Sequence, residues 1–167
     1  MSDHNSSSSQ IKNYILQLNQ LYAGGNFLDE NFSAKLSIVN EATAFIPPAD
    51  GVHSVAEILW HCTYWRTVNL NRFQGNNRYR EETIDEMDWI KLDELKKKGW
   101  SVLRAEFDQS QAALTELLVD KTDNYLENEY EAGKTFGYLI DGTIQHDAYH
   151  LGQIGLVIKC LRLKKVL

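Results

Sequence analysis

Apolar positions in this chain recur in steps of three and four over most of its length, the spacing of helix faces directed at a common core. Ile11, Tyr14, Leu18, Leu21 and Tyr22 predict a first helix, which Gly24 and Gly25 stop. A shorter helical piece follows with Phe32, Leu36 and Val39 on its apolar face, and Pro47 and Pro48 end any helix before them. Ser54 and Glu57 form the S-x-x-E signature of a capping box, so a second long helix is expected from there to the stop signal at Gly75, Asn76 and Asn77. A third long helix is drawn from Asp88 to Val119 with Trp89, Leu92, Leu95, Leu103, Phe107, Leu114 and Leu117 among its apolar positions, kinked or interrupted at Gly99. The stretch from Thr122 to Lys134 has no clear helical period and reads as a connection, partly extended. A last helix spans Phe136 to Leu163. Its glycines Gly137, Gly142, Gly152 and Gly155 each cost up to about 1 kcal/mol relative to alanine, which asks for close approach of a neighbouring helix or a ligand. The pattern as a whole predicts an all-α four-helix bundle with an additional short helix after the first. Residues 1–9, polar and serine-rich, read as a disordered tail, and residues 10–167 as a single domain.

Three histidines on this frame point to chemistry. His146 and His150 stand four apart in QHDAYHLGQIG, so a helix stacks them one turn apart on one face. The stripe Leu139, Thr143, His146, His150, Gln153 and Val157 alternates steps of four and three, which turns both imidazoles toward the bundle interior. His61 closes the run HSVAEILWH, with Ile58, Cys62, Trp65 and Val68 on or beside its face, and should also turn inward. A single inward histidine is more often a hydrogen-bonded core residue than a ligand, and an H-x-x-x-H pair alone has a high false-positive rate. Three buried imidazoles are different. Each needs a partner to offset its desolvation, and one divalent cation satisfies three lone pairs together. His61, His146 and His150 are therefore the expected metal ligands.

Their neighbours suggest supporting roles. Glu57 lies four residues before His61 and is read first as a helix cap, second as a general base or a partner of the site. Gln153, one turn beyond His150, is expected either to orient a ligand or a metal-bound water or to make an interhelical hydrogen bond. Trp65 is the best candidate for an aromatic pocket wall, and Tyr149 either offers its hydroxyl to the pocket or packs in the bundle. Cys62 reads as a buried small hydrophobe that could border the pocket. His53 stands about 12 Å along the helix axis from His61, too far to share an ion. Asp147 reads as a carboxylate at the surface or behind the ligands. HDAYH taken as a degraded zinc-protease motif fails, because aspartate is one carbon shorter than glutamate and no third ligand follows downstream.

The segments GVHSVAEILWHCTYWR and DGTIQHDAYHLGQIGLV, in this order and at this separation, resemble the DinB superfamily of bacterial four-helix-bundle metalloproteins, over the stretch from about Tyr14 to Leu161. The resemblance implies that His61, His146 and His150 are the family's histidine triad. It implies a divalent transition metal, zinc or nickel, as cofactor. Known members include thiol S-transferases that use bacillithiol or mycothiol and a mycothiol-dependent isomerase, so transfer of a low-molecular-weight thiol to a small electrophile is the implied activity. Metal-dependent hydrolysis is the first alternative, and non-enzymatic metal or small-molecule binding in a stress response the second.

Charge narrows the partners. A net charge of −6 argues against general nucleic-acid binding, which needs a basic surface. The basic residues Arg162, Lys164 and Lys165 meet the negative end of the last helix's dipole, and LKKKGW reads as a solvated face. No apolar run approaches the ~18 residues of a membrane span, and MSDHNSSSSQ lacks the basic start and apolar stretch of a signal peptide. The expectation is a cytoplasmic protein with Cys62 and Cys160 as reduced thiols, a small-molecule substrate, no membrane partner, and homodimers formed through an exposed helix face.

Overall fold

A computed structural model describes residues 9–80 and 87–167. In chain order the elements are α1 (Gln10–Tyr22), the short α2 (Phe32–Leu36), α3 (Val55–Phe73), α4 (Leu92–Lys98), α5 (Trp100–Val119), a 3-10 turn (Asp123–Glu127), the strands β1 (Glu129–Glu131) and β2 (Lys134–Thr135), and α6 (Phe136–Leu163). The strands pair as a small antiparallel hairpin. Helices α1 and α3 each pack against both α5 and α6, the arrangement of a four-helix bundle with α1 diagonal to α3. The all-α bundle predicted from periodicity is the observed fold, and α2 is the extra helix after the first. Among the described residues no helix is long and apolar enough to cross a membrane.

Two apolar clusters fill the bundle. One is built from Phe32, Leu59, Phe107 and Ile154 with their neighbours, and the other from Ile11, Leu18, Leu114 and Ile140 with theirs. Phe32 of α2 is fully buried with its ring 4.8 Å from that of Phe107, so the short helix acts as a plug at one end of the bundle. The start of α1 is fixed from far along the chain. Asp123 accepts hydrogen bonds from the Gln10 and Ile11 amides at 3.0 Å each and from the Ser9 hydroxyl at 2.7 Å. Ser9 therefore belongs to the folded part rather than to the expected tail, whose other residues, His4 included, lie outside the described ones.

The long helix drawn from Asp88 to Val119 is two helices. Gly99 has φ 84° and ψ 152°, a combination that only glycine adopts readily, and it ends α4 and starts α5. Glu41 accepts the freed Trp100 amide at 2.8 Å, anchoring the new helix start to the segment after α2. Asp88 and Trp89 consequently lie in a turn before α4, where they can reach across to α3. The glycines of α6 also divide. A Cβ at Gly137 would stand 3.3 Å from the Leu126 carbonyl oxygen and one at Gly155 would touch the Lys35 side chain, whereas Gly142 and Gly152 face open space. Close approach accounts for the first two and not for the others.

Candidate metal centre

The packing of α3 on α6 brings the three histidines together. Ser54 starts α3 with both bonds of the capping box in place, and this sets the register that carries His61 inward between Trp60 and Cys62. Thr135 accepts the Tyr138 amide at the start of α6, two turns and more before His146. His61 Nε2 and His146 Nε2 are 3.2 Å apart, and the His150 ring stands 4.6 Å from that of His61 and 4.3 Å from that of His146, centre to centre. One ring nitrogen from each of the three lies within 4.8 Å of the other two. His61 and His150 are buried and His146 is half-buried.

The other ring nitrogens face oxygen atoms. The Nδ1–H of His150 donates to Gln153 Oε1 at 2.7 Å, leaving Nε2 with its lone pair. Asp88 Oδ1 stands 2.6 Å from His61 Nδ1, a close polar contact although the ring N–H is out of line for a good hydrogen bond. The same Oδ1 accepts from the Trp65 indole at 3.0 Å. Asp147 Oδ1 lies 3.9 Å from His146 Nδ1 and has no hydrogen-bond partner of its own. Oxygen atoms behind imidazoles are what fix ring orientation and tautomer at metal sites. Burial, with the neighbouring imidazoles adding to it, pushes the pKa of His61 down to about 3 and that of His150 down to about 4. Both are therefore neutral at pH 7 and carry lone pairs.

This donor set fits a metal ion. Two nitrogens bonded at ~2.0–2.1 Å to a tetrahedral zinc stand roughly 3.3 Å apart, close to the 3.2 Å between His61 Nε2 and His146 Nε2. A second group, Cys62, His146 and Asp147, is equally compact. Its chemistry is worse. Burial raises the Cys62 thiol well above its ordinary pKa, and Asp147 is already committed to Arg66. The three histidines are thus the better candidate, and they could hold a metal ion.

The remaining candidates occupy distinct places. The Trp65 ring centre lies 6.3 Å from that of His61 and 6.2 Å from that of His146, and the side chain lines the adjacent cleft. Gln153 contacts His150 rather than a neighbouring helix. Glu57 is a cap. Oε2 accepts from the Ser54 amide and hydroxyl at 2.7 Å each, and Oε1 faces His53 Nδ1 at 3.2 Å. Tyr149 is exposed, with its ring 5.0 Å from His150, so it packs outside the bundle and not within it. His53 remains separate from the triad but joins its surroundings through Trp89, whose ring stacks 3.9 Å from His53 and 4.0 Å from His61.

Four participants escape a reading by periodicity. Asp88 and Trp89 look like the start of a helix. Arg66 and Asp147 are 1% and 0% exposed as side chains and form a buried ion pair, with Arg66 Nε at 3.0 Å and Nη2 at 2.8 Å from Asp147 Oδ2. Burial alone would raise the Asp147 pKa, but the Arg66 charge and hydrogen bonds outweigh it and hold the carboxyl below its usual range. A signal for this pair exists in the sequence. Arg66 continues the inward series Leu59, Cys62, and Asp147 lies on that of Ile140, Thr143, Leu151 and Ile154, so opposite charges face each other from two apolar stripes.

The neutral imidazoles also set a pH dependence. Where a histidine's pKa is lower folded than unfolded, only the unfolded state takes up the proton between the two values, so stability falls as pH drops through that window. Stripped of metal, the protein should lose stability as pH falls from ~6.5, the unfolded histidine value, toward the range of about 3 to 4 found for His61 and His150. Urea unfolding of chelated protein across this range checks it, and the same slope in a His61→Ala, His150→Ala double variant would assign the effect elsewhere.

The fold and site together define a four-helix-bundle protein with a potential three-histidine metal centre. Residues 29–154 match the DinB superfamily, most of the chain and all three histidines, and the chain belongs to that superfamily. No curated protein matches it, and no solved structure does.

Proposed function

We propose that this protein is a metal-dependent enzyme that joins a low-molecular-weight thiol to a small electrophile, with His61, His146 and His150 holding the ion. The observation that carries this reading is three converging imidazoles beside a cleft of about 740 Å³ lined by His146 and Trp65. His61, His146 and His150 would hold a divalent ion such as zinc or nickel, which would supply a Lewis acid and favour the deprotonated form of a thiol. The chain's own residues position the chemistry. Gln153 orients the His150 ring, Asp88 stands against that of His61, and Trp65 and Trp89 flank the His61 ring. In the reaction a carbon–sulfur bond forms, the thiol proton passes to solvent, and the electrophile either releases its leaving group or takes up a proton.

Thiol transfer is placed ahead of hydrolysis because the resemblance to thiol S-transferases implies it, while Glu57, the carboxylate read as a possible general base, has both oxygens engaged elsewhere. The test combines elemental analysis with an assay of several thiols and of water as nucleophiles, using native protein and the His150→Ala variant. Metal-dependent joining of thiol and electrophile is expected. Hydrolysis without thiol transfer would favour the hydrolase reading, and metal without turnover the binding-protein reading.

Homodimer formation is assigned to the outer face of α6, where Tyr149, Leu156 and Leu163 are 64%, 62% and 77% exposed and Gly152 leaves open space between the first two. Sedimentation should show a dimer in the native protein and a monomer in Leu156→Glu. A native monomer would remove this assignment.

A further inference from the structure

The cleft beside the triad has a chemical character of its own. Its walls carry Arg72, Arg80 and Lys134 in a chain of net charge −6, together with the carboxylates of Glu131 and Asp141. Two of these five charges cancel. Lys134 Nζ bonds both carboxylate oxygens of Glu131 at 3.2 Å. Asp141 faces away toward Tyr14, whose hydroxyl it approaches closely enough to raise that group's pKa, behind the effect of burial.

The two arginines are left. Arg72, half-buried on α3, donates to Asn69 Oδ1 at 3.3 Å and lies 5.6 Å from the Tyr130 ring centre. Arg80 lies 4.9 Å from the centre of the Trp65 ring, the same ring that neighbours His61 and His146. Among the described residues neither forms an ion pair with a carboxylate, and Arg80 acts on Asp88 only at longer range, as the last of the influences that work against burial in setting that group's pKa. Aromatic faces and an amide oxygen orient a guanidinium without neutralising it, so its remaining N–H groups keep their preference for an anion. Asn69 and Asn77 add polar groups to the same walls, and the volume of about 740 Å³ suits a small molecule.

We propose that this cleft is an anion subsite, in which Arg72 and Arg80 bind a carboxylate or phosphate group of the small-molecule substrate while its reactive end reaches the triad. The proposal deepens the enzymatic reading and rests on it for the word substrate. The subsite itself can be measured without turnover. Arginine forks match planar carboxylates and phosphates by paired hydrogen bonds, and each charge-assisted bond contributes about 1.5–3 kcal/mol, which is about tenfold to hundredfold in affinity.

The experiment measures binding of succinate, inorganic phosphate and the uncharged succinamide to the full-length, metal-loaded protein, by calorimetry and by tryptophan fluorescence. Native protein should bind at least one of the two anions and discriminate against succinamide by about tenfold or more. Arg72→Met and Arg80→Met should each lose that discrimination while metal content stays at the native level. Comparing succinate with phosphate decides which anion the site prefers. Binding of neither anion in preference to succinamide, or anion binding unchanged in both variants, would overturn the proposal. Anion binding lost on chelation but kept in the variants would place the carboxylate on the metal and also overturn it. If the anions bind as expected but no thiol or water reaction is found, the subsite stands and the enzymatic reading falls.

Discussion

Replacing His61, His146 or His150 by alanine should abolish stoichiometric metal binding, from about one divalent ion per chain in the native protein to none in each variant. The three ring nitrogens lie within 4.8 Å of one another on two helices, so every imidazole is needed to close the set. Groups that only orient a ligand are typically worth about 10- to 100-fold in metal affinity, and loss of a ligand itself should exceed that. Gln153→Ala provides the internal scale, because it removes the oxygen behind His150 and leaves the three nitrogens in place. Elemental analysis after dialysis, with competition against a chromogenic chelator, measures both. The metal should also raise the melting temperature by mass action, by about 4 kcal/mol of stability when the free ion stands at a thousand times its dissociation constant. Full occupancy in His61→Ala would remove that residue from the site.

Arg66→Met should destabilise the fold by about 3–5 kcal/mol, because it leaves the Asp147 carboxylate buried without its counter-charge. Asp147 is 0% exposed, and its Oδ2 takes two hydrogen bonds from Arg66. Arg66 is tied in further by Ser110 Oγ at 3.3 Å and by the Phe107 ring at 4.1 Å. Removing both charges has a different result. In Arg66→Met, Asp147→Leu neither desolvation penalty remains, and stability should return to near the native value. Urea unfolding of the two single variants and the double variant, with metal present, closes the cycle. A loss below about 1 kcal/mol in Arg66→Met would mean that water reaches Asp147 and that the pair is not an internal one. Because Asp147 adjoins His146, the single variant should also weaken metal binding, whereas a purely structural ion pair would leave it unchanged.

The triad is legible in the chain. Residues four apart on a helix share a face whatever surrounds them, so His146 and His150 are paired by local geometry alone, and the resemblance to the DinB superfamily extends this to His61. The cap at Ser54 and Glu57 is legible for the same reason, since its donors and acceptors lie within one turn. Gly99 is partly so. Glycine marks the break, but its positive φ and the Glu41 carboxylate that stabilises the new helix start depend on a segment that packs there only in the folded bundle.

What surrounds the triad follows another rule. Asp88 and Trp89 carry a helical pattern in the sequence, yet they sit in a turn because α4 begins later, and only there can one approach the His61 Nδ1 and the other stack between His61 and His53. Arg72 and Arg80 look like ordinary surface residues until the hairpin and α6 close a cleft around them. Periodicity and capping act over one or two turns, so they carry the inward faces of the long helices and the pairing of His146 with His150, but not the late start of α4. Which oxygen stands behind each imidazole, the pairing of Arg66 with Asp147 in the core, and the surroundings of Arg72 and Arg80 arise only from the tertiary structure. Those outcomes depend on contacts between residues as far apart as Arg66 and Asp147, and no local propensity encodes the relative placement of two helices.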